Sequence, residues 1–180
     1  MISRALTIKG WMTPDELTWL AGQAKTHEKI AEVGSWLGRS TAAIADNTQG
    51  IVFAIDTWMG SSETDFDPGF KAGGPEWLFG QFMENAADNV TPIRMESVEA
   101  AAYLARKKHL FDMIFIDGAH DMESVKADIE AWRPLLKEGG LFCGHDYCWP
   151  DTPTTEVKKA VDQYFLVDTA SSIWIMRAEK

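Results

Sequence analysis

Between Phe111 and Ser124 the chain reads FDMIFIDGAHDMES, a mostly apolar run that stops abruptly at Asp117-Gly118-Ala119-His120. A carboxylate and an imidazole three positions apart at the lip of a buried strand form a candidate acid–base pair. An imidazole with an unperturbed pKa near 6.5 suits a base at neutral pH. A second pair, His145-Asp146, follows the apolar run LFCG. If the two runs are neighbouring parallel strands, Asp117, His145 and Asp146 converge on one point, where a hydroxyl could be activated by a base or a Lewis acid. Upstream, the stretch EVGSWLGRS sets Glu32 before Gly34, Ser35, Gly38, Arg39 and Ser40. Gly34 permits a tight turn, and Gly38 a close approach to the following helix start. Glu32 would suit a cationic ligand and oppose a pyrophosphate. Asp56, about twenty residues further on, stands where an acid accepts hydrogen bonds from ribose hydroxyls. The bland alternatives are a helix-facing acid at Glu32 and an Asx turn at Asp56.

Elements that place these residues follow from pattern. Thr13-Pro14-Asp15-Glu16 is a helix start, with an N-cap hydroxyl, proline at the first helical position and acids in the first turn. Strands are expected at Lys29–Val33, Ile51–Ile55, Thr91–Met95, Phe111–Ile116 and LFCGH. Helices are expected from the first glycine turn to about Asp46, then over Pro75–Ala87, Val98–Lys107, Glu123–Leu136 (with Pro134 as end or kink) and Glu156–Phe165. The end, YFLVDTASSIWIMRA, reads as two β segments around a turn. Alternating strands and helices imply right-handed βαβ units and a mainly parallel sheet, closed by an antiparallel pair. The irregular stretch Thr57–Gly74 is long enough to be a lid or disordered.

The chain has 180 residues, 46% hydrophobic and 24% charged, which suits one globular domain, with residues 1–27 as an N-terminal helical extension. Its formal charge of −10 opposes a duplex nucleic acid or an anionic membrane as partner. No apolar stretch approaches the roughly 18 residues of a membrane span. The first residues lack an apolar core before a small-residue cleavage site, and there are only two cysteines, so a reducing cytoplasm is the expected location.

Taken together, AEVGSWLGRSTAAIA, FAIDTW and FDMIFIDGAHDMESVKADIEAWRPLLKEGGLFCGHDY resemble the class I S-adenosylmethionine-dependent methyltransferases, in particular the macrocin O-methyltransferase and cephalosporin-hydroxylase-like group. The resemblance covers about Lys29 to Tyr147. It implies a Rossmann-like α/β/α sandwich with a seven-stranded, mostly parallel sheet and an antiparallel C-terminal strand. It implies S-adenosylmethionine across the first turn, at Glu32, Gly34, Ser35, Trp36, Gly38 and Ser40. The cofactor set continues with Asp56 on the ribose, Thr57 and Trp58 beside it, Glu96 and Ser97 bordering the adenine, and Asp117. It further implies a divalent cation (magnesium, manganese or another) on Asp117, His145 and Asp146, with His120 as general base and a small-molecule hydroxyl, sugar or natural-product-like, as acceptor. Two departures stand out: Gly34-Ser35-Trp36 replaces the usual G-x-G, and His145 replaces a more usual carboxylate, which tilts metal selectivity from magnesium toward manganese, iron or zinc.

Competing readings are a metal-independent methyltransferase, a metal-dependent hydroxylase-like enzyme and a non-catalytic binding protein on the same fold. A nicotinamide-dependent oxidoreductase would need G-x-G-x-x-G and would set Glu32 against the pyrophosphate. A homo-oligomer is left open. Cys143 reads as a buried small hydrophobe, and Trp36 and Trp132 stand within or beside helical stripes, as core residues do. His27, His109 and the aspartates of ETDFD read as solvated. Trp58, Met59, the loop to Gly74, Tyr147, Trp149 and PDTP are expected to cover the acceptor.

Overall fold

The structure is a computed structural model that describes residues 1–60, 67–149, 151–152 and 154–179. Seven strands form one sheet: β1 (Lys29–Val33), β2 (Ile51–Asp56), β3 (Val90–Arg94), β4 (Phe111–Ile116), β5 (Leu136–Gly144), β6 (Phe165–Ala170) and β7 (Ile173–Glu179). Their spatial order is β3-β2-β1-β4-β5-β7-β6. Pairs from β3 to β5 are parallel, whereas β7 runs antiparallel to both β5 and β6. Strand order reverses between β1 and β4, and the crevice beyond the carboxyl ends of those strands is where open α/β sheets bind ligands.

Residues alternate between two cores, as the period of a strand requires. Ile30, Met113 and Phe115 face one core with Leu17 and Leu20 of α2 (Pro14–Ala24), Ile44 of α3 (Arg39–Ala45) and Leu78 and Phe82 of α4 (Pro68–Asn85). Ala31, Val33, Ile114 and Ile116 face the other, against Leu104 of α5 (Ser97–Arg106), Val125, Ile129 and Trp132 of α6 (Met122–Trp132) and Val161 of α7 (Glu156–Tyr164). Each large apolar side chain fully buried this way contributes about 1.5–3 kcal/mol. A short helix, α1 (Ser3–Thr7), precedes α2. Among the described residues no helix is long and apolar enough to cross a membrane.

Helix α2 begins as its sequence predicts, with Thr13 and Glu16 in a reciprocal capping box. The Thr57–Gly74 expectation needs correction. Residues 61–66 of that stretch lie outside the described residues, but helix α4 already begins at Pro68. Asp67 caps it through the amides of Gly69 and Phe70 and pairs with Lys9 at 2.6 Å, so it is not merely solvated. Gly74 (φ 59°, ψ −151°) is a kink inside this helix rather than the end of a loop. Asp65, the other aspartate of ETDFD, lies outside the described residues. Pro134 does end α6, in a single 3-10 turn over Arg133–Leu135.

Candidate active site

The first turn is built where β1 meets its neighbours. Gly34 has φ 88°, and a Cβ there would lie 2.0 Å from the Asp117 carbonyl oxygen, so only glycine lets this turn touch the end of β4. Its N–H donates to the Ile55 carbonyl at 2.8 Å, and that of Asp117 to the Val33 carbonyl at 2.7 Å, which locks three strand ends together. Asp56 braces the turn: one carboxylate oxygen accepts from the amides of Ser35 (3.0 Å) and Trp36 (2.8 Å), the other from that of Trp58 (2.7 Å). The Asx-turn reading of Asp56 is therefore realised, with two further amides added.

Beyond this turn opens a cleft of about 1240 Å³. Gly34, Ser35, Trp36 and Ser40 form one wall, Asp56, Thr57, Glu96 and Ser97 another, and Asp117, His120, His145 and Asp146 a third. Three residues of the expected set do not line it. Trp58 is fully buried, packs on Phe79 and Phe82 and donates its indole N–H to the Trp36 carbonyl at 2.8 Å. Gly38 is set against Phe82, whose ring would lie 3.3 Å from an added Cβ. Glu32 sits behind the turn, where it accepts hydrogen bonds from the hydroxyls of Ser35 (2.8 Å) and Thr41. Trp36, in contrast, is a wall residue rather than core: Trp11 tilts against it with ring centroids 4.4 Å apart.

Burial raises the Glu32 carboxyl to about 7, and the Asp117 charge adds to this, against the hydroxyl bonds that lower it. The native state therefore holds a proton that the unfolded chain releases near 4.5. The stability this gives is fully present below the unfolded value and is lost as pH rises through about 7. Glu32→Gln should accordingly raise the melting temperature at pH 8, by the equivalent of up to about 3 kcal/mol, and change it little at pH 4.5. Parallel thermal melts of both proteins across that range measure the difference.

The third wall depends on β4 and β5 being in register. Ile116 pairs with Gly144, and the His145 amide donates to the Ile116 carbonyl at 3.0 Å, so the residues after both strands emerge together. Asp146 adopts φ 60°, a left-handed conformation that aspartate tolerates. Its carboxylate reaches His120 Nε2 at 2.7 Å and His145 Nδ1 at 3.1 Å, while Asp117 lies 3.5 Å from the same Nδ1. Asp117, His120 and Asp146 each offer a ligand atom within 4.8 Å of the others.

His145 is thus brought to the predicted point, with Nδ1 toward the carboxylates of Asp117 and Asp146. Its side chain is 3% exposed, and its Nε2 faces Ser172 Oγ at 2.8 Å and Glu16 Oε1 at 3.3 Å. Burial alone would lower its pKa, but Asp117, Asp146 and Glu16 push it up to about 12. Burial would raise Asp146, yet its bonds to His120 and His145 hold it well below the usual carboxylate range. Asp117 is the raised member of the pair, because burial outweighs its contact with His145.

Sequence reasoning missed two parts of the cleft. Gly10, Trp11 and Met12 line it because the Arg39 guanidinium donates to the carbonyls of Met12 (3.1 Å) and Ile8 (2.6 Å). No periodicity marks that segment. Asp128 also lines the cleft, buried, with Ser97 Oγ donating to it and burial raising its pKa to about 6. An acid between Val125 and Ile129 on the core stripe of α6 was the available signal. Of the expected acceptor cover, Trp149 lines the cleft, edge-on to His145 at 5.4 Å. Tyr147 does not: it is buried, and its hydroxyl donates to Asp162 at 2.7 Å. His109 is half-buried edge-on to Phe53, with ring centroids 5.1 Å apart, and His27 Nδ1 lies 2.7 Å from the Gln23 carbonyl, so neither is simply solvated.

Residues 31–147 match the family model of a methyltransferase domain. Among curated proteins, no sequence matches the chain significantly. Solved structures share its fold. A candidate caffeoyl-CoA O-methyltransferase from Staphylococcus aureus superposes with a TM-score of 0.62 at 15% identity, covering 97% of this chain and 88% of its own. An O-methyltransferase from Bacillus cereus in complex with SAH gives 0.60 at 16% identity, covering 96% and 86%. CalS11, a TDP-rhamnose 3'-O-methyltransferase of calicheamicin biosynthesis, gives 0.56 at 19% identity, covering 89% and 76%.

Proposed function

The chain belongs to the methyltransferase-domain family, and from that premise we propose that it transfers a methyl group from S-adenosylmethionine to a hydroxyl of a small, sugar-like or natural-product-like acceptor. The observation that carries this reading is the joining of two features in one cleft: a turn braced by Asp56 and, on the far wall, a histidine–carboxylate pair. The cleft of about 1240 Å³ has room for a nucleoside donor and a small acceptor together. S-adenosylmethionine fits it chemically: the close-packed Gly34 turn leaves the approach open, and Asp56 spends three acceptor positions on amides out of about four on a carboxylate. The bound sulfonium supplies an already activated methyl group, so the protein has to align the acceptor and remove its proton.

His120 is assigned that proton. Its side chain is 55% exposed at the cleft, and the ionised Asp146 holds Nε2 at 2.7 Å, which makes Nε2 the donor toward that carboxylate. The products are a methyl ether and S-adenosylhomocysteine. The rings of Trp11, Trp36 and Trp149 around the cleft suit the apolar face of a sugar or a flat acceptor.

A second reading rests on the grouping of Asp117, His120 and Asp146 within 4.8 Å. Two carboxylates and an imidazole fit a divalent cation such as manganese, iron or zinc. When bound, the cation would stabilise the developing negative charge on the acceptor oxygen. His120 would then be a ligand and no longer the base, so the two readings exclude each other. Chelation decides between them. Conversion of S-adenosylmethionine to S-adenosylhomocysteine with a panel of sugar and phenolic acceptors should persist after exhaustive treatment with EDTA. Loss of turnover that returns with added Mn²⁺ would transfer the assignment to the metal reading.

A further inference from the structure

Glu16 on α2 and Ser172 in the β6–β7 turn lie outside the segment that matches the family, residues 31–147. Both nevertheless reach the candidate site, through His145. All three side chains are buried: Glu16 is 1%, Ser172 3% and His145 4% exposed.

The polarity of this chain of bonds can be assigned from its chemistry. Glu16 Oε1 lies 2.5 Å from Ser172 Oγ and 3.2 Å from the Ser172 amide nitrogen. An ionised carboxylate only accepts, so the single hydroxyl proton of Ser172 goes to Glu16. The Ser172 oxygen then accepts from His145 Nε2 at 2.8 Å. On the other side of the ring, Nδ1 faces the carboxylates of Asp146 and Asp117. The imidazole therefore donates in both directions, and its orientation is fixed from behind.

Glu16 is committed on its second oxygen too. Oε2 accepts from the Thr13 amide and the Thr13 hydroxyl, each at 2.9 Å. Thr13 directly follows the Gly10–Met12 wall of the cleft. One carboxylate thus ties that wall to the ring supporting Asp117 and Asp146. A carboxamide in its place would turn an N–H₂ group toward one of these donors.

We propose that Glu16 and Ser172 are positioning residues of the methyl-transfer site, acting through His145 to hold the Asp117 and Asp146 carboxylates side by side next to His120. This rests on the reading of the site given above, and its test separates the two. Glu16→Gln and Ser172→Ala are compared with Thr13→Ala, which removes the helix cap but leaves Glu16 Oε1, Ser172 and His145 in place. Crystal structures of the three variants are determined, and Mn²⁺ alone and S-adenosylhomocysteine alone are titrated calorimetrically into each. In Glu16→Gln and Ser172→Ala, the His145 ring should leave Asp117 and Asp146, and the affinity for Mn²⁺ should change by about 10–100-fold. S-adenosylhomocysteine affinity should stay within about twofold of wild type. Thr13→Ala should lower the melting temperature yet keep both the geometry and the Mn²⁺ affinity. The relay is overturned if His145, Asp117 and Asp146 are unmoved in both relay variants, or if Thr13→Ala disturbs them equally. Wild-type protein that binds no Mn²⁺ removes the metal reading, and one that binds no S-adenosylhomocysteine removes the methyl-transfer reading. In either case the crystal structures alone decide the relay.

Discussion

Replacing His120 by glutamine is expected to lower methyl transfer by about 10²–10⁴-fold, the usual contribution of a positioned general base, while S-adenosylhomocysteine affinity stays within about twofold. The size of the effect follows from the placement of the ring. Its Nε2 is held at 2.7 Å by Asp146, and the side chain is the most exposed of the histidine–carboxylate cluster. Glutamine keeps a hydrogen-bond donor toward Asp146 but brings no basic nitrogen. The rate of S-adenosylhomocysteine release at saturating donor, set beside calorimetric affinity, measures both halves of the claim. A variant that loses donor affinity and rate in proportion would show that His120 binds the donor instead of moving a proton.

The second large effect concerns stability. His145→Leu should cost about 3–5 kcal/mol, because removing one partner of a buried ion pair leaves the others uncompensated. Here Glu16, Asp117 and Asp146 all lose the same cation. For a chain of this size the melting temperature should fall by roughly 10 °C. The pH dependence has a definite sign. In the variant burial raises Glu16 and Asp117 with His145 no longer opposing it, while Asp146 keeps its contact with His120, so the variant is most stable at low pH and loses stability as pH rises. In the wild type, the contribution of Glu16 and Asp146, both held low, is present above their unfolded values and is lost only as pH falls through their depressed folded values. The gap between the two proteins should therefore widen from pH 5 to about pH 6.5; above that value the wild type also begins to lose the contribution of His145, whose folded value of about 12 lies far above the unfolded 6.5. A uniform gap would mean that lost packing, not charge, accounts for the change.

Much of the frame that carries this chemistry is legible in the sequence. KIAEV and FDMIFI are strands over their whole predicted lengths, each a short segment closed by turn residues. The meeting of Asp117 with His145 and Asp146 follows from the parallel pairing of β4 with β5. The direction in which His145 points was not legible. It is set by Ser172, 27 residues away, and by Glu16, which is 156 residues from Ser172. No local pattern reports contacts of that range. Trp58 shows the same limit: proximity to the strand end is local information, but the bond from its indole to Trp36 is tertiary. Helix α4 is longer than its sequence suggests: Gly73-Gly74-Pro75 looks like a break, but Asp67 caps an earlier start and the helix continues through a kink.

A crystal structure with S-adenosylhomocysteine bound would locate donor and proton acceptor together. The ligand is expected across the Gly34–Trp36 turn, with its ribose hydroxyls at Asp56 and its sulfur facing the wall formed by Asp117 and His120. Density on another surface, or a sulfur directed away from that wall, would contradict the methyl-transfer reading.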